Sequence, residues 1–143
     1  MRLAEAVVSL QIREVQVRLF VPLDHLRGTV ARYKVLTGGR CSLHFPFPER
    51  GLELASVSSP AVSFLIIAGD EARLRPFRET MLTMLVADIA AVAPALLALG
   101  AEILQPVTPV PTGFQTRARH PGGLVVEYVQ HTEAADRYRV TDL

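Results

Sequence analysis

The chain repeats its own order of elements, and that constrains it more than any single motif. Read by hydrophobic period and turn chemistry, each half runs strand, helix, strand, strand, strand. Val21, closing the first strand of one half, recurs as Val86, 65 residues on (21 to 86). Asp24 recurs as Asp88, 64 on (24 to 88), and Gly38 as Gly100, 62 on (38 to 100). A period of this length is a duplicated half-domain, not a solenoid. A β-α-β-β-β half is too small to cover both faces of its own sheet. Two halves side by side give an α+β fold: tandem modules forming a curved mixed sheet around a cleft, with helices on the outer face.

The local signals place the elements. Residues 14 to 21 alternate, with Val15, Val17, Leu19 and Val21 on one face and Gln16, Arg18 and Phe20 on the other. Pro22 ends that strand, Asp24 is positioned to cap a helix over residues 25 to 36, and Gly38-Gly39 stop it. Strands follow at 41 to 47, 52 to 57 and 62 to 68; Pro46 and Pro48 make the first of these an edge strand or a strand giving way to loop. The second half predicts a strand over 80 to 86 and a helix over 89 to 99 capped by Asp88, with Pro94 kinking it or delaying its regular start. A strand over 102 to 105 runs into a rigid proline-rich segment, 106 to 111. Strands over 114 to 119 and 124 to 129 close the unit, the last launched by the turn Pro121-Gly122-Gly123. The boundaries are module one about 14–69, linker about 70–78, module two about 79–131 and a polar tail 132–143, all one domain over 1–143.

Composition narrows the partners. Half of the 143 residues are hydrophobic and the net charge is +1 without any basic run, which argues against nucleic acid and anionic membranes. One cysteine, Cys41, excludes an internal disulfide or a multi-cysteine zinc site, and no His neighbours it to make a reactive thiolate. No apolar run is long enough to cross a bilayer and no export pattern opens the chain, so the expectation is cytoplasmic. Glu127 stands alone as a carboxylate in an apolar strand. Burying it demands a metal, an arginine or a hydrogen-bond donor.

Several stretches together resemble the vicinal oxygen chelate superfamily, the glyoxalase, bleomycin-resistance and extradiol-dioxygenase group. They are Leu19-Phe20-Val21-Pro22 before a helix ending in Gly-Gly, Leu85-Val86-Ala87-Asp88, Ala98-Leu99-Gly100-Ala101-Glu102, and the run from His120 to Glu127. The resemblance spans about residues 16 to 131. It implies four metal-ligand positions, one on the first and one on the last strand of each half, all facing the cleft. They fall on Gln16, on Ile66 or its neighbours, on Met81 and on Glu127. An amide oxygen and a carboxylate are acceptable ligands, a thioether is a poor one for such ions, and the 62–68 strand has no carboxylate. The set is incomplete, with His44 or Thr83 the remaining candidates to fill a gap.

The resemblance therefore implies a small-molecule-binding protein without a complete catalytic metal site and with no cofactor. The cleft would be lined by Gln16, Arg18, Phe20, Met81, Thr83, Leu85, Phe114 and Glu127, with Phe45 adding to an apolar wall. Arg18 would pair with Glu127 or hold an anionic ligand. Glu127 is also the candidate general base of a metal-free enzyme. The alternative is a lyase, isomerase or dioxygenase dependent on a divalent metal. Arg117 and Arg119 read as solvated surface ahead of the mouth of the cleft, His120 as structural and Tyr33 as core. A homodimer is expected.

Overall fold

The computed structural model describes residues 10–140 and Leu143. The weak alternation of residues 1 to 12 reads in sequence as a lead-in strand or an arm, and the part before Leu10 lies outside the described residues. Eight strands form one sheet: β1 Ile12–Val21, β2 Arg40–Phe47, β3 Leu52–Ser58, β4 Ser63–Ala68, β5 Thr80–Val86, β6 Glu102–Val110, β7 Gly113–Arg119 and β8 Val125–His131. Their order across the sheet is β2-β3-β4-β1-β5-β8-β7-β6. The second four mirror the first four, as a duplication requires. Within each half the first and last strands pair in parallel, β1 with β4 and β5 with β8. The halves join where β1 meets β5 antiparallel.

Helix α1, Leu26–Thr37, covers the outer face of the first half, burying Leu26 and Val30 against Cys41, Ala55, Val57, Ile66 and Ala68. It ends at Gly38, whose φ of 70° is the left-handed conformation that glycine adopts without a Cβ clash. The equivalent helix α3, Val92–Ala98, packs Val92 and Leu96 on Val86, Ala118, Val126 and Tyr128. A helical turn over Ile89–Ala91 precedes α3, and the Asp88 carboxylate accepts a bond from Ala90 N at 3.1 Å. Pro94 falls in the first turn of α3, where a missing N–H leaves no helical bond unmade, so the regular helix starts late rather than kinking.

Four expectations change. Asp24 does not cap α1: it lies inside a tight turn over Leu23–His25, and the helix start has no side-chain cap. The proline-rich segment does not leave the sheet. It is the outer half of β6, an edge strand that absorbs Pro106 and Pro109 through register shifts at Ile103/Gln105 and Gln105/Thr108. The segment after β4 holds a short helix, α2 (Glu71–Leu74), capped by the Asp70 carboxylate on Arg73 N at 2.9 Å. The C-terminal segment packs back on the first half: Tyr138 lies 5.7 Å from Phe45, ring to ring, and Arg139 bridges to Leu43.

Candidate functional site

The concave face carries the site because the helices occupy the other one. On β1 the residues that alternate with the outer-face valines turn inward, and the two polar ones are the buried ones: Gln16 is 2% exposed and Arg18 9%. Cross-strand register then sets a single row through the middle of the sheet. Gln16 stands between Ser63 and Thr83, Thr83 beside Glu127, and Glu127 beside Arg117. Thr83 Oγ1 donates to Glu127 Oε1 at 2.9 Å, and Arg18 Nη1 lies 3.9 Å from the same oxygen. Gln16 Nε2 donates to Glu14 Oε1 at 2.7 Å and to Ser56 Oγ at 3.2 Å.

Beside this row the first half supplies a deep hydrocarbon wall from Leu43, Phe45, Phe47, Leu52, Leu54, Leu65 and Ile67, with Phe77 beyond it. The second half adds Leu85, Val129, His131 and the hairpin tip at Val110, Pro111 and Thr112. The cavity itself is narrow, about 50 Å³. Gly113 sets the tip: a Cβ there would collide with the Gln130 carbonyl, so β6 turns into β7 close against β8. The cavity opens into a wider groove of about 550 Å³ lined by Arg18, Arg50, Arg73, Arg117, Glu49 and Glu127 among others.

Five residues expected in the cleft do line the cavity: Gln16, Arg18, Thr83, Leu85 and Glu127. Three do not. Met81 is 55% exposed, because a register shift between Thr80 and Leu82 turns it outward and gives the groove-facing place to Thr80. Phe114 is 41% exposed: on β7 it alternates with Gln115 and Arg117, which take the groove side. Phe20 lies beyond the cavity, its ring 5.3 Å from the Arg78 guanidinium. Ile66 faces α1, so the β4 residues lining the cavity are its neighbours Leu65 and Ile67. His44 sits on the opposite face of β2, hydrogen-bonded to Glu53. Sequence reasoning missed the hairpin tip and His131. Of the hydrocarbon wall only Phe45 was expected; the alternation of Leu43, Phe45 and Phe47 on β2 and of Leu52 and Leu54 on β3 is the signal that marks more of it.

Arg18 is under the greatest electrostatic demand. Removing a guanidinium from water costs several kcal/mol, while an ion pair near 4 Å returns about 4 kcal/mol at the effective dielectric of such a site. The two roughly cancel, leaving the hydrogen-bonding of the guanidinium unmet. Among the described residues it makes no hydrogen bond, and its buried Nε has no partner. Burial lowers the Arg18 pKa, Glu127 acts against that, and nearby Arg117 reinforces it. Burial, with a smaller push from Arg139, also lowers the pKa of His131, so the cavity faces a neutral imidazole at pH 7. Burial raises the Cys41 thiol, which fits its place in the core under α1.

As a metal site the row reads hydroxyl, amide, hydroxyl, carboxylate: Ser63, Gln16, Thr83 and Glu127. Glu127, the one carboxylate in the row, has a permanent cation 3.9 Å away, the neighbouring Glu14 carboxylate is taken up by Gln16 and Ser63, and no cluster of three His, Cys, Asp or Glu exists among the described residues. This donor set does not fit a divalent ion.

No protein-family model matches the chain, and neither does any curated protein. Among solved structures, an uncharacterized protein from Methanosarcina mazei is 36% identical with a TM-score of 0.73, the match covering 86% of this chain and 95% of that one. The chain belongs to the same family as that protein. The methylmalonyl-CoA epimerase of Mycobacterium tuberculosis is similar at 17% identity and a TM-score of 0.65, over 90% of this chain and 95% of that one. A variant of the Streptomyces coelicolor methylmalonyl-CoA epimerase in complex with 2-nitronate-propionyl-CoA is 17% identical with a TM-score of 0.64, over 87% and 99%. At that identity the likeness to the epimerases shows the fold alone. No helix among the described residues is long and apolar enough to cross a membrane.

Proposed function

We propose that the protein binds a small organic molecule in the cleft between its two modules, without a divalent ion. The observation that carries this is the pairing of a deep hydrocarbon cavity with four convergent polar groups, Gln16, Arg18, Thr83 and Glu127, at one end. That is the usual composition of a small-molecule site: apolar walls for affinity, a few placed polar groups for orientation. Thermal-shift screening with and without divalent ions tests it. Stabilisation by apolar or anionic small molecules, unchanged by a chelator, supports the reading; stabilisation by a divalent ion alone overturns it.

A second reading is an enzyme without metal, favoured by one observation: Glu127 is fixed by Thr83 and faces the cavity beside a cation. A carboxylate there can take a proton from carbon and return it while the guanidinium stabilises the negative charge left on the adjacent oxygen. The fold shared with methylmalonyl-CoA epimerases is compatible with such chemistry. Solvent deuterium appearing at carbon in a bound ligand, lost in Glu127→Gln, would support it.

We also propose a homodimer, supported by apolar side chains left in solvent on the last turns of α1, Val35 at 86% and Leu36 at 70% exposure. Light scattering at micromolar concentration checks this, and a monomeric mass would count against it.

A further inference from the structure

We propose that the ligand of this cleft is a small organic acid whose carboxylate sits on the Arg18 guanidinium and whose apolar body fills the inner cavity. The inference rests on the binding reading above and names the chemical class bound.

Arg18 stands at the junction of the two spaces, lining both the inner cavity and the outer groove. Its side chain is 4% exposed, yet among the described residues its guanidinium has no hydrogen bond and its Nε is orphaned. A buried guanidinium without acceptors is held in place for an acceptor that arrives from outside. Glu127 does not meet that need, because at 3.9 Å it is a coulombic neighbour, and its Oε1 accepts from Thr83 instead. The surrounding charge favours an anion: the groove lining carries Arg18, Arg50, Arg73 and Arg117 against only Glu49 and Glu127.

The geometry also limits the anion. One guanidinium is available at the junction, and Glu127 opposes a second negative charge beside it. A single planar carboxylate matches a planar fork of donors. Inward of Arg18 the lining is hydrocarbon, Leu43, Phe45, Leu54, Leu65 and Ile67, so the rest of the ligand is apolar.

Titration calorimetry on the wild-type protein with butanoate, hexanoate and octanoate, and with the amides of the same acids, tests this. Acids are expected to bind about tenfold tighter or more than their amides, since only the acid gives the guanidinium a charged acceptor. Affinity should rise with chain length within each series. Arg18→Met should abolish the acid preference while keeping hexanamide binding, with circular dichroism confirming the fold. If that variant fails to fold, the wild-type comparison decides alone. Equal binding of acids and amides to the wild type overturns the acid assignment and leaves the binding reading standing. Binding by neither series, with an apolar neutral compound such as toluene also failing to bind, overturns both.

Discussion

Arg18 and Glu127 face each other across the seam between the two modules, Nη1 to Oε1 at 3.9 Å, one on the first strand of the first half and the other on the last strand of the second. Each is the other's counter-ion, so removing the carboxylate strands a buried cation. Glu127→Gln keeps the Thr83 bond but loses that charge. It should destabilise the fold by about 2–3 kcal/mol, below the range for fully buried pairs because Glu127 is 18% exposed. Urea unfolding of Glu127→Gln, Arg18→Met and the double variant checks this. The cycle should show coupling of about 1–3 kcal/mol, and strict additivity would mean that the pair does not interact.

His131 gives a pH signature. Its folded pKa lies below the ordinary 6.5, mainly through burial. The unfolded chain therefore takes up its proton first as pH falls. The contribution of His131 to stability is complete above pH 6.5 and is lost as pH drops below 6.5 through the folded pKa. The wild type should lose more stability between pH 7 and pH 5 than His131→Gln, measured by thermal unfolding of both. Parallel curves would remove His131 from the buried cavity wall.

Tyr128 acts at the other end of the scale. Its phenol bonds His120 Nε2 at 2.6 Å on the helix side of β8, and burial pushes its pKa from 10.0 up to about 12. Folded protein favours the neutral phenol, so this contribution holds below pH 10 and is lost as pH rises from 10 towards about 12. Tyr128→Phe should cost about 1 kcal/mol at pH 8. It should also show a shallower loss of stability than the wild type between pH 8 and pH 11, followed by urea unfolding.

The cavity assignment separates residues that sequence alone had grouped together. Phe45→Ala removes wall from the cavity and should weaken ligand binding about tenfold or more, in line with the burial value of an aromatic side chain. Met81→Ala and Phe114→Ala alter exposed positions and should leave affinity unchanged. The three variants titrated with one ligand make the check; an effect from Met81 would return it to the cleft.

How far the sequence carried the structure follows from which forces are local. Alternation over β1, the Gly38 stop and the Asp88 cap are decided by neighbours in the chain, and each reads directly. The mirrored strand order follows from duplication, which the spacing of Val21 and Val86 already records. Met81 did not read correctly because a one-residue register shift in β5 reverses the facing of everything before it, and nothing in the local residues marks it. Asp24 and Asp88 occupy matching places, yet only Asp88 reaches a backbone N–H, since Asp24 falls one step inside the turn after Pro22. The Arg18–Glu127 pairing was legible as a need of Glu127 for a partner. The unmet hydrogen bonding of Arg18 was not, because it depends on which groups fail to arrive.

The central claim is that a guanidinium, and not a divalent ion, faces Glu127 in this cleft. Elemental analysis of protein purified without chelator tests it most directly. The account predicts no stoichiometric divalent ion and no change in unfolding temperature on adding manganese or on adding a chelator. One tightly held ion per chain, lost together with stability in Glu127→Gln, would contradict it.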